Sequence, residues 1–250
     1  MVAPHRIGVV RYESIVQAWG LDLYGLVAWG RDSDELGEHL RLVLSDYLAW
    51  LRRNREDAGA AIEWELAETI DGTTLAATGG EFCFVAERAA LSRDELERGI
   101  AWMAFARGDV MAQVEGLPET VLDWEVPSSS IALIDTWAPE ARTIRGIVEH
   151  VLQLETYYRA GLADGRAAGI FERVAAPQTE RERTVALLRS LDDEARNRSY
   201  FPIRPGRSTP EEWTVRKVLR RIISHERHHA AEIAQRKAWL LLGVPRLREA

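Results

Sequence analysis

Apolar residues in the first third of the chain follow two different periods. Four segments have the apolar and alternating patterns of β-strands: residues 6–16, 23–29, 60–68 and 81–85. Residues 33–53 instead carry leucines and aromatic residues at helical spacing, and Asp32 with Glu35 forms a capping box at the start of that helix. The pattern therefore predicts a small α+β domain over residues 1–88.

The rest of the chain shows longer patterns of helical period. Four long helices are predicted, over residues 93–115, 139–161, 179–197 and 210–242. Ser92 with Glu95 forms a capping box before the first of them, and Thr209 with Pro210 supplies an N-cap and an N1 proline to the last. Four such helices with short to medium connections predict an all-α four-helix bundle over residues 89–250.

Composition narrows the functional classes. The 250 residues are 46% hydrophobic and 28% charged, which is ordinary for a globular protein, and no apolar run is long enough to predict a membrane span or a signal peptide. A net charge of -7 argues against a large nucleic-acid interface. One cysteine, Cys83, excludes an intramolecular disulfide framework and a cysteine-based zinc cluster. We expect a cytoplasmic protein that binds a small molecule and no membrane.

Three of the six histidines, His225, His228 and His229, lie in the last predicted helix. Residues four apart on an α-helix lie about 40° apart around its axis, so His225 and His229 can direct two imidazoles at one metal ion. Both histidines continue the apolar row of that helix, which consists of Val215, Val218, Ile222 and Ile233. His228 instead falls on the polar side of the helix.

His150 lies on a similar apolar face in the second of the four helices. Its neighbours on that face are Ile144, Ile147, Val151 and Leu154. A single histidine on an apolar face can be a hydrogen-bonded core residue, but burying several neutral imidazoles is costly unless something binds them. His150, His225 and His229 would hold one divalent transition metal and leave a coordination position open. Zinc or nickel is favoured, although imidazole ligands do not identify the metal.

Two other motifs overlap with the histidines of the last predicted helix. Residues 225–229 match H-E-x-x-H, the zinc-peptidase signature, in which Glu226 would be the general base. That reading needs a third ligand downstream, and Glu232 lies too near on the same helix to supply it. Glu226 and His229 also form one E-x-x-H pair of the kind used in di-iron bundles, but the sequence contains no second pair. The zinc peptidase is kept as a remote alternative.

Three segments carry a family resemblance: TIRGIVEH at 143–150, EWTVRKVL at 212–219 and HERHH at 225–229. From about residue 90 onward, the chain resembles the DinB/YfiT-like family of metal-dependent four-helix bundles. The resemblance implies that His150, His225 and His229 bind one divalent metal. It also implies a low-molecular-weight-thiol S-transferase or a related hydrolase, with the thiol as a cosubstrate that the metal activates as thiolate. Glu226 lies about 100° from His225 around the helix, so it would be a general base, a partner of the ligands or a surface carboxylate.

The N-terminal domain carries a second resemblance. Residues 21–30, LDLYGLVAWG, followed by SDEL at 33–36, resemble the strand–turn–helix segment of HicB-like antitoxins. This resemblance implies a partner-binding or dimerising module, and we expect a homodimer. No DNA-binding helix-turn-helix pattern accompanies it. The alternative to an enzyme is therefore a non-enzymatic protein, in which the HicB-like domain binds a partner and the bundle is a scaffold.

Overall fold

The computed structural model describes residues 4–57, 63–72, 82–125, 142–163, 165–166, 177–203 and 209–241. Its main strands are β1 (His5–Arg11), β2 (Val16–Gly20), β3 (Val27–Gly30) and β4 (Trp64–Asp71). Its helices are α1 (Ser33–Arg53), α2 (Arg93–Val114), α3 (Glu119–Leu122), α4 (Ile144–Arg159), α5 (Pro177–Ser190), α6 (Asp193–Asn197) and α7 (Val215–Leu241). Two short strands, β5 (Gly165–Arg166) and β6 (Pro202–Ile203), pair with each other in parallel.

The N-terminal part of the chain is a small mixed sheet covered by one helix. The strand order is β3-β2-β1-β4, in which β2 is antiparallel to both of its neighbours and β4 is parallel to β1. Strands β3 and β4 therefore lie at opposite edges of the sheet and run in the same direction. The chain must cross over the sheet to connect them, and α1 forms this crossover. Leu40, Leu44 and Leu48 of α1 are buried in the core that includes residues of the sheet. The predicted α+β character of this region is confirmed.

Three of the strand predictions are wrong in their bounds. The strand predicted at 60–68 is β4, which begins at Trp64 and extends to Asp71. Residues 6–16 are not one strand: β1 ends at Arg11 and β2 begins at Val16, because the chain reverses between them and the N–H of Tyr12 donates to the carbonyl of Ile15 at 2.9 Å. Residues 23–29 become a strand only at Val27, because Gly25 takes a left-handed conformation with φ of 94°. Apolar β-branched residues can stand beside a turn as well as within a strand, so composition alone does not show the reversal.

The predicted strand at 81–85 is also absent, as far as the described residues extend. Glu81 lies outside them, and Val85–Arg88 is a single 3-10 turn. The carboxylate of Glu87 accepts a hydrogen bond from the N–H of Phe84 at 2.8 Å, which closes the start of this turn. A side chain therefore satisfies a donor that a neighbouring strand would otherwise pair with.

The helices predicted at 33–53 and 93–115 are confirmed, whereas boundaries predicted for the later helices are wrong. The segment 179–197 contains two helices, because Asp192 accepts a hydrogen bond from the N–H of Ala195 at 2.8 Å and starts α6. Helix α7 begins at Val215, where the Thr214 hydroxyl accepts from the N–H of Lys217 at 3.1 Å, and the predicted cap at Thr209 is wrong. Backbone pairing between Trp213 and Tyr200 holds the preceding residues extended. The predicted start of the second bundle helix near 139 is wrong: residue 139 itself lies outside the described residues, but α4 begins at Ile144 because the Thr143 side chain accepts from the N–H of Gly146 and caps it.

The C-terminal region is mostly helical, and α7 is at its centre. Helix α7 packs along α2 and α4, and α4 also packs against α5. The largest core cluster includes Leu44 of α1, Met103 of α2 and Leu219 of α7, so one core crosses the predicted domain boundary at residue 88. Across the described ranges, no helix is long and apolar enough to cross a membrane.

Candidate metal centre

Two helices bring three imidazoles together. Helix α4 carries His150, and α7 carries His225 and His229 one turn apart. The Nε2 atom of His225 lies 3.1 Å from Nε2 of His150 and 3.1 Å from Nε2 of His229. His229 is buried, and the other two imidazoles are partly exposed. The helical-face argument thus selected three side chains that converge in the structure.

The spacing of the three nitrogens fits a single metal ion. Zinc–imidazole bonds of about 2.0–2.1 Å in a tetrahedral site separate two nitrogens by about 3.3 Å, close to the distances found here. Each ring nitrogen carries either one hydrogen or one lone pair in the ring plane, so His225 Nε2 cannot form two well-aligned hydrogen bonds to both neighbours. A cation between the three nitrogens would satisfy all of them. The donor set therefore fits a divalent transition metal.

The surroundings of His225 keep its imidazole neutral. Burial, reinforced by the adjacent imidazoles of His229 and His150, holds the pKa of His225 well below its ordinary value. The ring of Tyr158 packs edge-on against His225, with the two ring centroids 5.7 Å apart. A neutral imidazole keeps a lone pair on the nitrogen that faces the cluster, and metal binding requires such a lone pair.

A carboxylate that the sequence analysis rejected as a metal ligand supports His229. Glu232 Oε2 lies 2.7 Å from Nδ1 of His229, and its other oxygen accepts from Arg236 at 2.5 Å. Burial acts to raise the pKa of Glu232, but the bonds to His229 and Arg236 outweigh it and lower the pKa. A carboxylate at Nδ1 places the imidazole hydrogen on that side, so Nε2 presents its lone pair to the cluster. The spacing of three residues along one helix could have revealed this partner.

Glu226 lies in a buried ion-pair network. Its Oε1 accepts from Arg107 of α2 at 2.6 Å and from Arg181 of α5 at 2.5 Å. Glu155 of α4 pairs with the same two arginines, at 2.6 and 2.9 Å. Burial raises the pKa of Glu226, and the two guanidiniums oppose that shift. Helices α2, α4, α5 and α7 thus each contribute one charged side chain to this network. The general-base role of Glu226 stays a prediction that its placement does not favour.

Two other side chains from the sequence analysis lie outside the imidazole cluster. His228 is exposed on α7, as its position on the polar side of the helix predicted. Trp213, at the start of the family-like segment 212–219, is fully buried, and its ring meets Tyr157 edge-on and Tyr158 at a tilt. It belongs to the core behind the cluster, since Tyr158 lies between Trp213 and His225.

We expect Glu232→Ala to weaken metal binding by about 10- to 100-fold, the usual cost of losing a carboxylate behind a ligating imidazole. The Glu232→Ala variant lacks the carboxylate that accepts from Nδ1 of His229 and thereby fixes the tautomer that this site needs. Competition with a chromophoric chelator measures the dissociation constant. The control is Glu149→Ala, which removes an exposed carboxylate next to His150. Equal affinities in the two variants would contradict the role of Glu232.

Comparison with known proteins gives a family match within the helical region. A family model described as the DinB superfamily matches residues 103–233. One solved structure that is similar is YfiT from Bacillus subtilis, described as a probable metal-dependent hydrolase with an unusual four-helix bundle topology. It is 19% identical, covers 64% of this chain and 94% of its own chain, and has a TM-score of 0.42. No curated protein matches the chain.

The family match determines how far the resemblance extends. Residues before 103 lie outside it, so the HicB-like resemblance of the N-terminal region stays a prediction. The matched segment contains the three clustered histidines and all four residues of the buried ion-pair network. Because the match covers more than half of the 250 residues, this protein belongs to the DinB superfamily.

Proposed function

We propose that this protein is a metal-dependent enzyme that binds one divalent metal through His150, His225 and His229 and acts on a small molecule. The observation that carries this proposal is the convergence of three Nε2 atoms from two helices, with two separations of 3.1 Å. The match to the DinB superfamily supports it, because the matched region contains all three histidines. We propose zinc or nickel as the metal, on the basis of an all-imidazole donor set.

His150, His225 and His229 would hold the metal, and a bound divalent metal would supply Lewis-acid chemistry that activates a water or a thiol as nucleophile. The chain supplies the conditions for this chemistry. Glu232 orients His229, burial keeps His225 neutral, and the ring of Tyr158 shields one side of His225 from water. The side chain of Tyr158 is itself held by a hydrogen bond from Arg221 at 3.3 Å.

This arrangement is suited to hydrolysis and to S-transfer from a low-molecular-weight thiol. Both reactions need an activated nucleophile beside the three imidazoles, and they differ in whether that nucleophile is water or the thiol. We therefore propose a thiol S-transferase or a related hydrolase. An assay panel decides between them by supplying esters and amides in one arm, and a thiol with an electrophile in the other.

The test compares the metal-loaded protein with His150→Ala. We expect turnover to fall about 1000-fold in this variant, because a metal contributes several kcal/mol to catalysis and each 1.4 kcal/mol is a factor of ten. His39→Ala is the matched control, since His39 is exposed on α1 and its imidazole contacts the backbone carbonyl of Trp29. Undiminished turnover in a folded His150→Ala variant would refute the role of these histidines. No turnover in either arm would favour the non-enzymatic, partner-binding alternative.

A further inference from the structure

A second face of α7 packs against the N-terminal region of the chain. This region, termed the N-terminal unit, comprises the described residues 4–57, 63–72 and 82–88. Three arginines of α7, termed the arginine face, contact this unit: Arg216, Arg220 and Arg227. Successive residues turn by 100° around a helix, so Arg216 and Arg227 point about 180° and 200° away from His225. The arginine face and the imidazoles therefore lie on different sides of α7.

Arg216 fastens the first turn of α7. Its Nη1 donates to the hydroxyl of Tyr24 at 2.6 Å, and its Nη2 donates to the carbonyl of Ala90 at 2.5 Å. Its Nε donates to the carbonyl of Ala89 at 3.1 Å, and Nη2 also pairs with Glu95 at 3.0 Å. Hydrogen bonds from a guanidinium are stronger than those between neutral groups. This side chain therefore ties α7 to the N-terminal unit and to the segment that follows it.

Arg220 is inserted between aromatic rings of the N-terminal unit. Its guanidinium carbon lies 4.6 Å from the ring centroid of Trp19 and 4.7 Å from that of Phe82. Its Nε donates to Glu87 at 2.6 Å. Arg220 is 1% exposed and Glu87 is 4% exposed, so the pair is removed from water. Ring faces and a carboxylate together stabilise a buried guanidinium, and leaving it unpaired would be costly.

Arg227 contacts α1 at the level of the metal centre. Its guanidinium carbon lies 4.2 Å from the ring centroid of Trp50 and 4.7 Å from that of Tyr47. One turn earlier, Gly25 approaches Ile223 so closely that a Cβ at position 25 would overlap with the isoleucine side chain. The φ of 94° at Gly25 also favours glycine at this point. The N-terminal unit thus contacts α7 at several points between Arg216 and Arg227.

We propose that the N-terminal unit is a fixed support for α7 that sets the geometry of the imidazole cluster, with Arg216, Arg220 and Arg227 as positioning residues. The effect on metal binding rests on the proposed function. A site needs its ligands held within about 0.5 Å of the productive geometry, and two of the three ligands belong to α7. Helix α4 contacts α7 through His150, while the arginine face anchors α7 from elsewhere on its surface.

The test uses the whole 250-residue chain and cobalt(II) as the probe, because the visible absorption of cobalt reports ligand geometry. We expect Arg227→Met to bind cobalt about tenfold more weakly and to change the shape of its absorption bands, although Arg227 cannot touch the metal. Arg189→Met is the matched control, since Arg189 pairs with Glu97 at the exposed surface between α5 and α2. A folded Arg227→Met with unchanged affinity and spectrum would overturn the proposal. If Arg227→Met does not fold, Arg227→Gln replaces it under the same criterion.

Calorimetry of the wild-type chain tests the support without requiring metal. We expect one cooperative unfolding transition, which Arg227→Met shifts to lower temperature more than Arg189→Met does. Two separate transitions, with cobalt raising only one of them, would overturn the proposal, because the N-terminal unit would then unfold independently of α7. If the wild type binds no cobalt, the proposed enzymatic function fails. The calorimetric result then still decides whether the unit supports the helix.

Discussion

His225→Ala/His229→Ala is expected to lose the bound metal completely. The wild-type protein should carry about one equivalent of a divalent transition metal, and the double variant none. Four-ligand structural zinc sites gain about 10–16 kcal/mol, or roughly 3 kcal/mol per ligand, so removing two ligands weakens binding by a factor of about 10⁴. The remaining imidazole, His150, could not retain the ion through purification. Elemental analysis of tag-free protein measures the stoichiometry.

His228→Ala is the matched control for this experiment. It removes an imidazole from the same turn of α7, but one that is exposed on the helix. The control should keep its full equivalent of metal. A double variant that retains metal would place the ion elsewhere in the protein. No metal in the wild type, even after incubation with zinc and nickel, would leave the three histidines as core residues.

Glu226→Ala is expected to lower the free energy of unfolding by about 3–5 kcal/mol, the usual cost of removing one partner from a buried ion pair. The cost arises because Arg107 and Arg181 both donate to Glu226 Oε1 and are themselves only about one tenth exposed. Glu155 would remain as the carboxylate shared by two buried guanidiniums. Urea-induced unfolding, followed by circular dichroism at fixed metal content, measures the change.

Glu97→Ala is the control for Glu226→Ala. Glu97 pairs with Arg189 at 2.7 Å, but both side chains are about half exposed, and such surface pairs contribute at most about 1 kcal/mol. Equal losses in the two variants would show that the buried network is not a main determinant of stability. Replacing all four network residues by apolar ones of similar volume should cost much less than Glu226→Ala, because no buried charge is then left without a partner.

The elements that the sequence predicted best are those determined by neighbouring residues. Helix α1 was predicted at 33–53 and is Ser33–Arg53, and α2 was predicted at 93–115 and is Arg93–Val114. In both helices the N-cap side chain accepts hydrogen bonds from residues two or three positions later. Such caps and the helical period can be recognised within a window of a few residues.

The choice of the three histidines combines local and tertiary information. The period of α7 already placed His225 and His229 together, because helical geometry requires only the spacing of four residues. That His150 meets them depends on how α4 packs against α7, and the sequence offered only an apolar face in support. Glu232 lay within reach of the same local argument, as a residue three positions after His229.

Tertiary structure alone decided the features that depend on partners far away in the chain. Glu226 looked like a neighbour of the ligands, but its carboxylate pairs with Arg107, 119 residues earlier. Helix α7 begins at Val215 rather than near residue 210, because Trp213 pairs with Tyr200. The N-terminal unit is joined to α7 by the pair of Arg220 and Glu87, which lie 133 residues apart. By itself the sequence determined helical periods, the N-caps of α1 and α2 and the face that carries the imidazoles. Packing determined which charges and strands meet, because burial makes an unpaired group costly wherever its partner lies in the chain.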